Sequence, residues 1–377
     1  MLQVAQPAPP RLDLLGRGAG FASGAGDLSR RLTSRGGAHD EFRVGLCVPL
    51  QGSEGIWGPS CIASARLAHE EINRADGIAG RHATLRIIDA SESAADVGGC
   101  IDGLVRAGEI DALVGMCISS VRERIADSLQ GRVPFVYTPL YEGGPMPPGI
   151  VAIGETAQRQ LRPSITRLSR VHGARRWALI GNDYVWPHVS HRIARRVVGE
   201  LGGEVVVDRF VPFRFVDFDA LIDQLRRTRA DAVLLAMVGQ DAVEFNRAFG
   251  RAGLAQHMLR LSCAVEENQL LAIGADNTER LFVALGYFDA LRTEANLAFK
   301  DRYRARFGDR APVMNSIGQS LYEGLHVLAA LHENHPAEAC RTRPSARRSD
   351  GPGSAGGASP IYLAQAEGHA FRVVTEL

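Results

Sequence analysis

Four stretches of the chain share one design: LVGMCISS (113–120), PFVYTPLYEGG (134–144), WALIGNDYVWP (177–187) and VLLAMVGQD (233–241). Each runs apolar for four or more residues, as a buried strand does. Each then breaks into Ser, Thr, Tyr, Asn, Asp or Gly before a helical pattern begins. Strands that are apolar on both faces and alternate with helices can hide only in a parallel sheet covered on both sides. In such open α/β sheets, ligands sit outside the carboxyl ends of the strands. Repeated small polar and aromatic groups at those ends therefore predict a pocket for a small molecule.

The alternation holds along the chain. Strands are predicted at 42–50, 83–90, 111–116 and 134–139, with helices at 60–75, 94–108 and 121–130 between them. A short strand at 149–154 leads across to a second lobe. The pattern then restarts, with strands at 176–183, 204–212, 231–238, 258–263 and 280–288. Helices are expected at about 158–171, 187–202, 218–229 and 242–253, and two more at 296–308 and 315–334. The expected fold is α/β, with two parallel-sheet lobes joined by crossovers. Its parts are a leader at 1–41, lobes at 42–154 and 155–290, helices at the hinge at 291–338, a Gly/Ser/Pro-rich linker at 339–359 and a closing hairpin at 360–377.

Composition narrows the function classes. The formal net charge of +1 offers no steering toward nucleic acid or an anionic membrane. No apolar run is long enough to span a bilayer. Residues 1–20, as they stand, lack an unbroken secretory core, so the expectation is a cytoplasmic protein, or an exported one if the start lies elsewhere. Six cysteines are present without C-x-x-C spacing, which predicts buried thiols rather than zinc or redox chemistry; a disulfide stays open.

Chemistry-bearing motifs fall short of their templates. QGSEGIWG (51–58) spaces its glycines as G-x-x-G-x-x-G, and Asp89 lies too far downstream for a ribose-binding acid. His188 and His191 have no third ligand nearby, and His332 and His335 lack zinc-protease spacing. Cys117 has no local base. We therefore expect no enzyme, no catalytic residue, no metal and no cofactor; a nucleotide-dependent enzyme is the most distant alternative. The residues expected to line a pocket are Cys117, Ser119, Ser120, Tyr137, Thr138, Tyr184 and Trp186, and with less support Val238, Gly239, Ser262 and Glu266. Hydroxyls and backbone N–H groups at a helix start suit a carbonyl or carboxylate, and rings exclude water.

One segment carries a resemblance. Ala68-His-Glu-Glu-Ile-Asn73, followed by Gly77-Ile-Ala-Gly-Arg81 and a strand ending at Asp89, resembles the opening of type I periplasmic-binding-protein folds of the leucine/isoleucine/valine-binding class. TPLYEG (138–143) and the stretch 181–203 resemble its amide- and urea-binding branch. That branch includes the sensor controlling aliphatic amidase expression and the binding subunits of urea and amide transporters. The likeness runs over 42–335 and returns at 360–374; the chain departs from the class at 339–359. It implies two lobes joined by three crossovers and a ligand clamped in the cleft. Ser119, Tyr137, Tyr141, Glu142 and Tyr184 match the branch, while Cys117 replaces a Tyr, implying a larger pocket, and Trp186 replaces another aromatic. The resemblance implies a cytoplasmic sensor of a short amide or urea, with an RNA-binding antiterminator or other regulatory protein as partner. The alternative is the binding subunit of an ABC transporter for amides, urea or branched-chain amino acids. Direct nucleic-acid binding and membrane insertion are not expected, and a homo-oligomer stays open.

Overall fold

The computed structural model describes residues 41–333 and 360–377. The expected leader up to residue 40, His335, Cys340 and the linker at 339–359 lie outside the described residues, while Glu41 already opens the first strand.

The first sheet has the order β2-β1-β3-β4-β5, formed by His82–Asp89, Glu41–Val48, Ala112–Gly115, Phe135–Tyr137 and Ile150–Ala152. All of its pairings are parallel. The strand expected to lead into the second lobe is thus the fifth strand of this sheet, paired with β4. The crossing follows it, where Tyr141 bridges to Thr156.

The second sheet has the order β12-β11-β10-β9-β8-β6-β7. Its parallel members are β6 (Arg176–Asn182), β7 (Glu204–Val211), β8 (Ala232–Ala236), β9 (Leu259–Ser262) and β10 (Leu281–Leu285). The hairpin β11 (Tyr362–Glu367) and β12 (Ala370–Glu376) adds to its edge antiparallel. Every residue of β3, β8 and β10 is buried, as expected of strands covered on both faces.

The helices of the first lobe are α1 (Gly58–Arg74), α2 (Ala94–Arg106) and α3 (Ser119–Leu129). Those of the second are α4 (Ala157–His172), α5 (Val185–Glu200), α6 (Phe218–Thr228), α7 (Gly239–Arg251) and α8 (Glu267–Ile273). After β10, α9 (Glu294–Phe307) and α10 (Ser316–Leu331) return to the first lobe. There α10 packs along α1 and against β3 and β4. Arg302 and Arg306 of α9 pair with Glu71 and Glu70 of α1. Gly324 allows the close approach of α10, since a Cβ there would meet Thr138 Cγ2 at 2.4 Å.

The helix starts divide into two groups. Ser93, Thr156, Asp217, Thr293 and Asn315 cap α2, α4, α6, α9 and α10 with their side chains, and Glu266 with Gln269 forms a capping box on α8. The residues before α1, α3, α5 and α7 are Trp57, Ile118, Tyr184 and Val238, and none supplies a side-chain cap. α1 continues the short 3-10 turn Glu54–Trp57, where the Gly55 carbonyl accepts from the Gly58 N–H, and the Gln240 N–H of α7 is met by Ser53 of the other lobe, so among the described residues the open starts are those of α3 and α5.

Candidate functional site

The residues before these four helices meet. Trp57, Ile118, Tyr184 and Val238 all line one cavity of about 40 Å³, together with Met116, Cys117, Ser119, Tyr137, Pro139, Leu140, Trp186, Ala264, Glu266 and Ile317. The cavity lies where the strand ends of the two lobes face each other. Trp57, Cys117, Ser119 and Tyr137 come from the first lobe, and Tyr184, Trp186, Val238 and Glu266 from the second. A helix start presents N–H groups and the positive end of the macrodipole, so the site favours an electron-rich atom.

Two indoles add to that preference. The Nε1 atoms of Trp57 and Trp186 are buried and have no hydrogen-bond partner among the described residues. A buried donor without an acceptor costs free energy that a ligand oxygen would recover. Tyr184 packs its ring near Trp186 and Phe213, with centroids 6.4 and 5.3 Å away. The wall is otherwise apolar, with Met116, Ile118, Leu140, Val238 and Ile317.

Behind the first-lobe wall sits a closed polar network. Arg122 donates to Glu142 at 2.7 Å, with both side chains under 10% exposed. Burial works against the guanidinium charge, but Tyr137 and Glu142 outweigh it and raise the Arg122 pKa. The Arg122 guanidinium lies over the Tyr137 ring, 5.2 Å from its centroid. Ser119 Oγ donates to the other Glu142 oxygen. Tyr137 donates its hydroxyl hydrogen to the Cys117 carbonyl at 2.8 Å, and burial holds its pKa well above the phenol range. The Ser119 and Tyr137 hydroxyl hydrogens are therefore committed to the protein, and what they offer a ligand is lone pairs.

The remaining expected residues divide. Cys117 lines the cavity beside Cys47, whose thiol is held well above its ordinary pKa by its hydrogen-bonding neighbour Cys117 and then by burial. Glu266 lines it from the second lobe, and its Oε2 accepts from the backbone N–H of Ile317 on α10 at 3.1 Å, joining the lobes. Val238 lines it while donating its N–H to Asn182 at 3.1 Å. Ser120, Thr138, Gly239 and Ser262 do not line it. Thr138 is buried and donates to the Gly115 carbonyl at 3.3 Å, and Ser262 accepts from the N–H of Ala264 at 3.2 Å. Ser120 is half-buried one position beyond Ser119, and Gly239 lies against Ser53.

Trp57 was missed by sequence reasoning. Its only signal was a Trp inside the glycine-rich loop that invited a phosphate reading. That loop is instead held by Asp89, which accepts from the N–H of Leu50 at 3.1 Å and the Gln51 amide at 3.2 Å. The histidine pair also has a structural account. His191 is buried with Nδ1 2.8 Å from Asp208, and burial lowers its pKa to about 3. His188 lies 2.7 Å from Asp183 on the surface. Among the described residues no group of His, Cys, Asp and Glu is placed to hold a metal ion. Among them too, no helix is long and apolar enough to cross a membrane.

Two α/β lobes that close strand ends and helix starts around one cavity define a small-molecule binding protein of the type I periplasmic class. The chain belongs to the periplasmic binding protein family, whose model matches residues 41–347. Solved structures share the fold. One is an ABC transporter substrate-binding protein from Sphaerobacter thermophilus, 20% identical, covering 89% of this chain and 98% of that chain with a TM-score of 0.72. Another is a solute binding protein of an ABC transporter from R. palustris in complex with benzoate, 15% identical over 89% and 96% of the two chains, TM-score 0.75. A third is the branched-chain amino acid transporter substrate binding protein from Streptococcus pneumoniae in complex with isoleucine, 17% identical over 89% and 98%, TM-score 0.71.

Proposed function

We propose that this chain is a solute-binding protein of the ABC-transporter type whose lobes close on a short amide or urea-like molecule. The observation that carries the reading is the meeting of the α3 and α5 helix starts and of two indoles with buried, unmet N–H groups, Trp57 and Trp186, on one cavity. Donors in excess call for a carbonyl oxygen. The lone pairs of Ser119 and Tyr137 call for an N–H group at the other end. A neutral amide meets both demands without bringing a net charge into an apolar cavity. A bare carboxylate such as benzoate would face Glu266, and the Arg122 guanidinium is already engaged by Glu142. The small cavity favours short chains over leucine-sized ones.

The sensor role implied by the sequence resemblance would use the same closure, since a ligand that prefers the closed form shifts the lobes toward it. The family match and the transporter proteins among the similar structures support the transport reading.

Thermal stabilisation against acetamide, propionamide, butyramide, urea, leucine, valine and benzoate tests the ligand class. A ligand at 100 times its dissociation constant adds about 2.7 kcal/mol to stability. We expect the shift with an amide or urea, weakened in Ser119→Ala and Glu266→Gln. A shift only with leucine or valine moves the protein to the amino-acid readers, and a shift only with benzoate defeats the neutral-ligand argument.

A further inference from the structure

The first-lobe loop at 52–57 does more than present Trp57: it is seated on the second lobe. Ser53 is buried, and both its carbonyl and its hydroxyl oxygen accept from the N–H of Gln240, at 3.0 and 2.9 Å. Three residues on, the Ile56 carbonyl accepts from the Asn268 amide at the start of α8, at 2.9 Å. Between these bonds, Gly239 faces Ser53 so closely that a Cβ would lie 2.2 Å from the Ser53 carbonyl oxygen. Gly239 also holds φ at +58°, in the left-handed region. Its own carbonyl accepts from Gln269 at 3.3 Å, which ties the seat to the capping box of Glu266. The bonds of the Ser53 loop to Gln240 and Asn268 join residues more than 180 positions apart, one on each lobe.

We propose that Ser53 and Gly239 form a latch between the lobes: the absence of a side chain at Gly239 lets the Ser53 loop seat on the α7 N-terminus, and this seating fixes the closed form. They are positioning residues for closure and touch no ligand. The inference rests on the reading that the lobes close on a ligand. The loop seats as one unit, so the latch also sets where Trp57 stands in the cavity wall. The Gln240 N–H, in the first turn of α7, finds its acceptors among the described residues on the other lobe.

Hydrogen exchange on the full-length, ligand-free protein tests the latch apart from any ligand. We expect Gly239→Ala to raise exchange of the Gln240 amide by about tenfold or more, with the loop at 52–57, while β8 and β9 keep wild-type protection. Ser53→Leu adds bulk from the other lobe and leaves α7 unaltered, so it should raise the same amide. It decides the matter if Gly239→Ala loosens the second lobe as a whole. Wild-type exchange at Gln240 in Ser53→Leu overturns the latch. With propionamide as the probe, both variants should bind about tenfold more weakly by titration calorimetry. Wild-type protein that ignores every amide overturns the ligand reading, and the exchange result still decides the latch.

Discussion

Trp57 and Trp186 reach one cavity from opposite lobes, and each buries an indole N–H that no acceptor among the described residues meets. Trp186→Phe removes one donor and keeps most of the ring. Ligand affinity should fall roughly threefold to tenfold, the worth of one hydrogen bond. The ligand-free protein should lose little stability, because the deleted N–H was unsatisfied there. Calorimetric titration beside urea denaturation separates the two effects, and equal losses in both would make the indole merely structural.

The Arg122–Glu142 pair is structural support for the cavity wall. Arg122→Ala leaves Glu142 buried without its cation and should cost about 3–5 kcal/mol in denaturant unfolding. Replacing both partners with apolar residues of similar volume, Arg122→Met with Glu142→Leu, should recover much of that loss. A double variant as unstable as the single one would show that Ser119 and Tyr137 depend on the charges themselves.

Glu267 makes stability pH-dependent. Burial raises its pKa from 4.5 to about 8, although its Oε1 accepts from the Asp289 N–H at 2.7 Å. The carboxyl then stays protonated in the folded chain where the unfolded chain ionises. Its contribution is whole below about pH 4.5 and is lost as pH rises through about 8. Melting temperature should decline across that window, and Glu267→Gln should flatten the decline. An unchanged slope in the variant would place the effect on other groups.

Gly324 sets the distance between α10 and the strand end beside the cavity. Gly324→Ala places a methyl against Thr138 and should destabilise by about 1–3 kcal/mol through overpacking. Thr138→Ser, made in the same chain, removes the clashing Cγ2 and should restore part of the loss. Absence of any rescue would move the strain elsewhere in the α10 packing.

Periodicity makes the two lobes legible in the residues themselves. Buried strands such as β3 and β8 have to be apolar throughout, and the helices between them repeat on a different period, so local residues carry the pattern. The same logic marked strand ends as the place for a ligand. It could not separate Ser119, which lines the cavity, from Thr138 and Ser262, whose hydroxyls turn to nearby backbone. All are small polar residues near strand ends. Which way each hydroxyl points depends on the carbonyls and amides that surrounding segments bring within reach.

What the chain settled alone was therefore the order of elements, because it follows from residues within a few positions of each other; the strand ends it offered for a site are an expectation of the same local kind. The tertiary structure alone decided the site's contents. Trp57 and Trp186 share a wall, and Ser53 meets Gly239, only because two separate sheets face each other across the cleft. Such contacts depend on how whole lobes pack, and no local run of residues encodes that distance.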